Sequence, residues 1–361
     1  MNRYISLYLL CSLFVISCNK KDDGVVDPGN GYVPTPMSLN IPPLFEEKLI
    51  DPLIPTDNPQ TVEGVALGRK LFFDPILSAD NTQACADCHS PQNAFTDERQ
   101  FSIGIDGISG DRNSMPLFNI AWNFTEKFFW DGRAPNLEAQ ILEPVINPIE
   151  MHNTWENATA SLQARNDYPD LFSKAFGTTT IDKTLVSKAI AQFLRTLISG
   201  NSKFDKHLAN QASLTPSETN GLAIFLDETK GDCFHCHGNP NSPLWTDNVF
   251  HNNGLDEVIT DLGLGDFTGD PRDFGLFKSP SLRNLAYTAP YMHDGRFATL
   301  DEVINHYSEG LMYSETIDPL MKTIAQGGVN LSEEDKADLK AFLLTLSDPE
   351  FINNPDFQDP N

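Results

Sequence analysis

The chain is short of positive charge. Its 361 residues include 25 lysines and arginines against 50 aspartates and glutamates, which gives a formal net charge of −25. Such a negative chain repels nucleic-acid phosphates and anionic lipid headgroups, so we expect no nucleic-acid partner. A protein that docks by electrostatic attraction should be basic, unless the charge serves only to keep the surface soluble.

Long apolar runs are also scarce, and none that could span a membrane follows the N-terminal segment. Residues 1–17 predict a signal peptide, and Val15-Ile16-Ser17-Cys18 resembles a bacterial lipoprotein signal that would leave a lipidated Cys18 as the first mature residue. An ordinary signal peptide cleaved nearby is the alternative. Attached acyl chains would hold the protein at a bilayer face by the lipid anchor alone.

We therefore expect a cell-envelope protein that faces the periplasm or the cell surface. Residues 18–43, rich in Gly, Pro, Asp and Asn from residue 24 onward, are predicted to be a flexible tether. The tether would hold the folded part of the chain away from the membrane.

Cysteine is sparse, and none is left for a structural disulfide. Of six cysteines, Cys11 and Cys18 belong to the N-terminal segment, and the other four form two Cys-x-x-Cys-His motifs. Each motif matches the c-type haem attachment signature, in which two thioether bonds hold the porphyrin and the histidine ligates the iron. The motifs predict two covalent haems c on these residues: Cys85, Cys88 and His89, and Cys233, Cys236 and His237.

A zinc site and a redox-active dithiol are the alternatives to haem attachment at these motifs. A zinc site would need further cysteine or histidine ligands at suitable spacing. A thioredoxin-like dithiol would not require the following histidine twice. Both are therefore weaker interpretations than haem attachment.

Strand signals are few, whereas helix signals recur. The segment TPSE at 215–218 is a capping box that opens a helix, and residues 183–199 carry apolar side chains at helical spacing. The segment SEED at 332–335 begins a terminal helix of the kind that cytochrome c domains have. These signals predict a mainly α-helical fold.

The two halves of the chain repeat one another. Three pairs of segments occur in the same order in each half: CADCH (85–89) and CFHCH (233–237), LFNIAW (117–122) and LRNLAY (282–287), and WDGR (130–133) and HDGR (293–296). The offset between the partners drifts only gradually, as a duplicated domain with loop changes would give. We therefore predict two related cytochrome c-like domains and a tail, with these boundaries: 44–200, 201–350 and 351–361.

Four further stretches point to a known family: GRKLFFDPILS before the first haem motif, DRNSMPLFN, FFWDGR, and FKSPSLRN leading to TAPYMHDGRFATLDEV. On these motifs the chain, over about residues 43–350, resembles the bacterial dihaem cytochrome c peroxidases and their methylamine-utilisation (MauG) relatives. The resemblance implies an enzyme that reduces hydrogen peroxide to water. Its electrons would come from a small, basic redox protein, either a cytochrome c or a cupredoxin.

The resemblance also implies roles around the first haem, the peroxide site. Gln140 would hold peroxide by hydrogen bonds, Pro144 would leave the iron open, and Glu150 would move a proton between the peroxide oxygens. Trp130 would be the aromatic relay between the haems. Without a haem nearby, Gln140 and Glu150 would be ordinary surface groups and Trp130 would be core filler.

The second haem should be closed. Tyr307 lies fourteen residues after His293, as Pro144 lies fourteen after Trp130. A phenol can ligate iron, so Tyr307 is predicted to do so, as in the MauG branch and unlike the many peroxidases with methionine there; a phenolate ligand favours ferric and higher oxidation states. If Tyr307 only packs, the alternative ligands are these: Met292, Met312 and Met321.

No histidine occurs between His89 and His152. Many peroxidases of this family block the peroxide haem at rest with a loop histidine in that region. We therefore predict a five-coordinate first haem that reacts with peroxide without prior reduction. His152, beside Glu150, is the one nearby candidate for a blocking residue.

One calcium ion between the haems is also implied by the resemblance. Its ligands would be the side chain of Asn113 and the backbone carbonyls of Thr288 and Pro290, oxygen donors that suit this hard cation. Water would complete the coordination.

Two other functions stay open. One is a MauG-like oxidase, which uses peroxide to form high-valent haem and oxidises a protein or a small molecule; Tyr307 favours it. The other is a non-enzymatic dihaem electron carrier, which would not need the open face at Gln140, Pro144 and Glu150. A homodimer stays open as the assembly state.

Overall fold

The computed structural model describes residues 32–360 and is mainly α-helical, as predicted. In chain order its α-helices are α1 (Pro43–Lys48), α2 (Val62–Phe73), α3 (Leu137–Ile146), α4 (Trp155–Ala164), α5 (Tyr168–Phe176), α6 (Lys183–Thr196), α7 (Lys203–Leu208), α8 (Pro216–Leu226), α9 (Phe234–His237), α10 (Leu264–Thr268), α11 (Leu300–Glu309), α12 (Glu333–Leu344) and α13 (Pro349–Ile352). Strands β1 (Phe250–His251) and β2 (Phe277–Lys278) pair antiparallel. The predicted signal peptide and Cys18 lie outside the described residues. Within residues 32–360, no helix combines the length and apolarity needed to cross a bilayer.

The first hydrophobic core is built on the crossing of α2 and α6. Thr61 and Asp182 cap the N-termini of these helices through side-chain oxygens. Gly68 permits the close crossing, because a Cβ there would lie 1.9 Å from the carbonyl oxygen of Ala189. Helix α6 ends at Thr196, a few residues earlier than predicted. It buries the apolar side chains of Val186, Ala189, Ile190 and Phe193, and Leu197, directly after the helix, is buried as well.

The second core repeats this arrangement with α8 and α12. The predicted capping box is present: Thr215 Oγ1 accepts from the N–H of Glu218 at 3.2 Å, and the Glu218 carboxylate accepts from the N–H of Thr215 at 2.6 Å. A Cβ at Gly221 would lie 1.9 Å from the carbonyl oxygen of Asp338. Ser332 caps α12, which buries Leu339, Phe342 and Leu343; Leu346, just after the helix, is buried as well.

Both ends of the described chain pack on the first domain. Residues 32–43, which the sequence assigns to the flexible tether, are held by hydrogen bonds such as that from the N–H of Met37 to the carbonyl of Gln60 at 3.0 Å. Near the other end, the rings of Phe351 and Phe357 lie 5.7 and 6.5 Å from that of Phe95. The predicted tail therefore completes the first core, because its aromatic rings find an apolar surface there.

The two halves meet through a reciprocal pair of backbone hydrogen bonds. The N–H of Asn113 donates to the carbonyl of His293 at 2.7 Å, and the N–H of Lys278 donates to the carbonyl of Trp130 at 2.9 Å. Lys278 precedes LRNLAY by as many positions as Asn113 precedes LFNIAW, and Trp130 and His293 open the paired WDGR and HDGR segments. The four residues form two equivalent pairs, so this contact has approximate two-fold symmetry.

Arg112 strengthens the same interface. Its guanidinium lies 2.6 Å from the carboxylate of Asp131 in the first half and 2.7 Å from that of Asp261 in the second. The Arg112 side chain is only 16% exposed, so these ion pairs are less screened than surface pairs. They fix the relative position of the WDGR segment and the second domain.

Candidate dihaem site

A cavity of about 550 Å³ opens beside the first haem motif. Its wall brings together residues that the sequence predicts for the peroxide site: Cys88, His89, Trp130, Gln140, Pro144 and Glu150. Cys85 lies behind this wall, where it packs against the first core. The haem motif and Glu150, far apart in the sequence, thus share one cavity.

His89 is oriented to offer one ring nitrogen. Its Nδ1 lies 2.9 Å from the carbonyl oxygen of Phe95 and 3.2 Å from Ser114 Oγ. A carbonyl can only accept, so Nδ1 carries the proton and Nε2 keeps a lone pair for a metal. Burial lowers the pKa of His89, which keeps the imidazole neutral as ligation requires.

His237 is held in the same way in the second half. Its Nδ1 lies 3.2 Å from the carbonyl oxygen of Pro280 and 3.4 Å from Ser279 Oγ. Burial lowers the pKa of His237 to about 4. Ser279 follows Lys278 as Ser114 follows Asn113, and both serines donate to the carbonyl of the motif's second cysteine, at 2.9 Å in the first half and 3.0 Å in the second.

The cysteines fit haem attachment better than redox chemistry. The four that the structure describes form no disulfide. Burial raises the pKa of Cys85 and of Cys233 to about 12 and that of Cys88 to about 11, whereas a redox-active dithiol needs a lowered thiol pKa. A buried thiol next to a ligating histidine suits a permanent thioether bond.

A zinc site is not formed at either motif within the described part of the chain. The one group with suitable spacing there is Cys236, Asp247 and His251, three ligands where a structural zinc site has four. His251 is already bonded on both ring nitrogens, at 2.9 Å to Asp247 and at 2.6 Å to Asp318. Desolvation would lower the pKa of His251, but its contacts with Asp247, Cys236 and Asp318 outweigh this and raise the pKa to about 11, so the ring is an imidazolium without a lone pair.

Helix α3 and the turn after it form one face of the first cavity. Asn136 caps the helix by accepting from the N–H of Ala139 at 2.8 Å. Gln140 and Pro144 follow one turn apart on the helix, and Pro144 presents no side-chain donor or ligand. Residue 150 lies beyond the helix end, which carries its side chain back to the same cavity.

Glu150 is buried and held by a neighbouring amide. Asn147 Nδ2 donates to Glu150 Oε1 at 2.6 Å. Burial raises the pKa of Glu150, although the bond from Asn147 and the charge of Arg133 oppose that change. A carboxyl group in this environment can hold a proton closer to neutral pH than an exposed glutamate can.

A hairpin loop at residues 102–110 covers the Glu150 turn. The N–H of Ile105 donates to the carbonyl oxygen of Glu150 at 3.0 Å, and His152 Nδ1 lies 2.5 Å from the carboxylate of Asp106. His152 therefore faces the loop rather than the cavity. Of the described residues that line this cavity, His89 is the only histidine.

A second cavity, of about 210 Å³, lies beside the second haem motif. Its wall includes Cys233, Cys236, His237 and Tyr307, together with Met292 and Met321. Met312 is not part of that wall and is 48% exposed. Two of the three alternative methionines thus share the cavity with Tyr307.

The hydroxyl of Tyr307 accepts a hydrogen bond from Asn253 Nδ2 at 3.1 Å. Desolvation raises the pKa of Tyr307 to about 12, so without a cation nearby it stays a neutral phenol. The same Asn253 amide lies 3.5 Å from the sulfur of Met292. Asn253 was not identified from the sequence, since no repeated motif contains it.

Trp130 belongs to the walls of both cavities. Its side chain is buried, and its indole Nε1 donates to the carbonyl oxygen of Asn113 at 2.8 Å. His293, at the equivalent position, stacks on Phe277 with ring centroids 3.6 Å apart and lines only the second cavity. The predicted relay residue therefore lies where the two sites meet.

The three predicted calcium ligands also line one cavity, the second: Asn113, Thr288 and Pro290. Asn113 Nδ2 donates to the carbonyls of Arg99 and Gln100 at 3.2 and 3.1 Å. These bonds fix the amide and leave its carbonyl oxygen available to a cation. The donor set fits a hard cation, and the ion itself stays a prediction.

Known proteins with similar sequences point to the same chemistry. Residues 62–213 match the model of the family described as di-haem cytochrome c peroxidase. The methylamine utilization protein MauG of Methylophilus methylotrophus is 36% identical, over 86% of this chain and 91% of the relative. The cytochrome c551 peroxidase of Nitrosomonas europaea is 33% identical, over 84% of each chain.

A solved structure supports the fold as well as the sequence relationship. A MauG-like protein associated with microbial copper homeostasis superimposes with a TM-score of 0.81 at 35% sequence identity, over 90% of this chain and 99% of that one. The cavities, the paired motifs and these relatives agree with each other. The chain therefore belongs to the di-haem cytochrome c peroxidase family, and it is a peroxidase-type oxidoreductase with two c-type haems.

Proposed function

We propose that hydrogen peroxide reacts in the first cavity, on the face formed by Gln140, Pro144 and Glu150. The observation that carries this assignment is the contrast between the cavities: the first has a proline where the second has Tyr307. His89 would hold the iron there, and Pro144 offers no side-chain ligand that would exclude peroxide. The haem supplies the electrons and the Lewis acidity that peroxide cleavage requires.

Glu150 handles the proton in this proposal. Its carboxylate would take a proton from one peroxide oxygen and return it to the departing oxygen, which leaves as water. Asn147 keeps the carboxyl group in place through the 2.6 Å hydrogen bond. The raised pKa of Glu150 suits a group that must both accept and donate a proton.

Gln140 and Pro144 prepare the same face. Gln140 lies one helical turn before Pro144 on α3 and provides an amide that can donate to peroxide or to water. Pro144 contributes an apolar surface that cannot bind iron. Together they favour an open coordination position with a hydrogen-bonding partner beside it.

Electrons enter through the second site and pass Trp130. Tyr307 would hold an iron in the second cavity, so that site would transfer electrons and would not bind peroxide. The position of Trp130 in both cavity walls supports its role as the relay. The net charge of −25 supports a basic donor protein, either a cytochrome c or a cupredoxin.

The protein is anchored through a lipidated Cys18 and faces the periplasm or the cell surface. One calcium ion binds Asn113 and the backbone carbonyls of Thr288 and Pro290, which share a cavity wall. A homodimer is compatible with this arrangement.

A MauG-like oxidase is the second candidate function. Tyr307 in the second cavity and the similarity to MauG favour it. In that case the electrons for peroxide reduction come from a protein or small-molecule substrate, not from a dedicated donor.

Stopped-flow mixing of the all-ferric protein with peroxide, followed by a reduced monohaem cytochrome, separates these functions. Rapid oxidation of the cytochrome supports the peroxidase. A long-lived oxidised form of the protein that does not react with the cytochrome supports the oxidase. Absence of any reaction with peroxide would leave a plain electron carrier and contradict the proposal.

A further inference from the structure

Lys278 is a buried lysine without a carboxylate partner. The residue is 6% exposed, it borders both cavities, and its Nζ donates to the carbonyl oxygen of Lys127 at 2.7 Å. The other lysine and arginine side chains on the described cavity walls all have carboxylates within 4.0 Å: Arg112, Arg133 and Lys322. No described carboxylate lies that close to Lys278.

Such a site disfavours the ammonium form. Burial lowers the pKa of Lys278 to about 7. The charge of Asp247 opposes this only from a distance, and the Asp247 carboxylate is bound to His251 at 2.9 Å. A buried ammonium is retained in proteins when an anion compensates it. An anion that does not belong to the polypeptide would therefore stabilise the charged form of Lys278.

The duplication shows what Lys278 replaces. Lys278 is equivalent to Asn113, and Lys127 is equivalent to Pro290, since each lies three positions before its WDGR or HDGR segment. Asn113 and the Pro290 carbonyl are predicted calcium ligands on one side of the pseudo-two-fold interface. On the other side, the Lys278 ammonium itself contacts the carbonyl of Lys127.

We propose that Lys278 is a built-in cation of the interface, and that its ammonium binds a propionate carboxylate of the haem in the first cavity. The first cavity is the better match because Lys278 Nζ lies 5.5 Å from the ring centroid of Phe128, which lines that cavity and not the second. The second domain thus supplies a charge to the first domain's haem. The inference rests on the haem assignment and not on the peroxide mechanism.

The positive charge of Lys278 beside the propionate favours the reduced haem, which carries one more negative charge than the oxidised haem. A chelator cannot remove this charge, whereas it can remove the calcium predicted across the interface. The effect of Lys278 should therefore appear in the reduction potential of that haem.

The test is a spectroelectrochemical titration of the holoprotein with Lys278→Met. We expect the reduction equilibrium constant of the haem in the first cavity to fall by about tenfold or more, which corresponds to about 59 mV for one electron, and a shift of the other haem alone would contradict the assignment. Lys278→Arg, which keeps the charge, should retain nearly wild-type potentials. Lys127→Met is the matched control, because it removes the same charge from an exposed side chain of the same interface.

Equal potentials in Lys278→Met and Lys127→Met would overturn the proposal. If Lys278→Met fails to incorporate both haems, Lys278→Gln, which is neutral and more polar, takes its place. Its haem reduction potentials are then compared with those of Lys127→Met in the same way. Haem content is measured separately, so the result is independent of peroxide turnover. A shift in the haem reduction potential of Lys278→Met with unchanged peroxide turnover would support the proposed contact. Lost turnover with unchanged reduction potentials would contradict it.

Discussion

Pro144 and Tyr307 occupy the same position in two equivalent helices. Pro144 is seven residues after Leu137, the first residue of α3, and Tyr307 is seven residues after Leu300, the first residue of α11. Both side chains reach a cavity that holds a haem motif. Under the proposed function, this single position of the duplicated helix would distinguish a site open to peroxide from a closed one.

Replacing Tyr307 with methionine should change the ligand of the second haem. We expect His/Met ligation and a higher reduction potential, because methionine favours ferrous iron more than a phenolate does. Low-temperature EPR and potentiometry measure both effects. Tyr313→Phe is the matched control, since Tyr313 is 64% exposed; His/Met ligation already present in the wild type would contradict the Tyr307 assignment.

Removing the carboxyl group of Glu150 should slow the reaction with peroxide. For Glu150→Gln we expect kcat/KM for peroxide to fall by about 10²- to 10⁴-fold, the range for loss of a general acid–base group. Peroxide-dependent oxidation of a reduced cytochrome gives the rate. Glu156→Gln, at an exposed position of α4, should keep the wild-type value; equal rates in the two variants would remove Glu150 from the mechanism.

The pH dependence of the same reaction should reflect the ionisation of the Glu150 carboxyl group. Burial raises the pKa of this carboxyl group above its ordinary value of 4.5. Its ionised form accepts the first proton, so kcat/KM should rise with pH through the raised pKa and be low below it. The acid limb should disappear in Glu150→Gln. An acid limb that persists unchanged in this variant would have to come from another group.

Arg283, from the FKSPSLRN segment, anchors the second domain through a buried ion pair. Its guanidinium meets Asp205 at 2.7 and 2.8 Å, and the two side chains are 0% and 4% exposed. Asp205→Asn should lower the free energy of unfolding by about 3–5 kcal/mol, because it leaves a buried charge uncompensated. Denaturant unfolding measures this; Asp301→Asn, from an exposed pair with Lys340, should cost less than about 1 kcal/mol.

The ion pair between Asp205 and Arg283 should make the stability of the fold depend on pH. Desolvation would raise the pKa of Asp205, but Arg283 and the bonds from Ser202 outweigh it, so the pKa lies below the ordinary value of 3.8. The stabilisation is therefore present above the unfolded-state pKa and is lost as pH falls through the folded-state pKa. The difference in stability between wild type and Asp205→Asn should shrink on acidification through that window. A constant difference would show that the pair is not titrating.

Calcium binding can be tested by metal analysis. Asn113→Ala should lose the bound calcium, because it removes the side-chain oxygen that the cation needs. Atomic emission on protein dialysed free of loose calcium gives the stoichiometry. Asn241→Ala, at an exposed position, is the control. Equal calcium in the two variants, or none in the wild type, would contradict the site.

The haem motifs, the capping box at 215–218 and the cap at Ser332 are local features. Each acts within a few residues, through thioether spacing or a hydrogen bond to a nearby backbone N–H, so the sequence carries the whole signal. The duplication also let the sequence pair Pro144 with Tyr307, since the equivalence needs only matched positions in the repeat. The mainly helical fold and the family assignment depended on these local signals.

Contacts between distant segments depended on the tertiary structure. Whether Met321 or Met312 borders the second cavity is decided by the chain path, as is the return of Phe351 to the first core. The contact between Lys278 and the carbonyl of Lys127 joins residues 151 positions apart. The sequence by itself determined where the haems attach and that the halves are related; only the folded structure decided which side chains the interface leaves buried and uncompensated, because burial arises from packing between segments and not from local order.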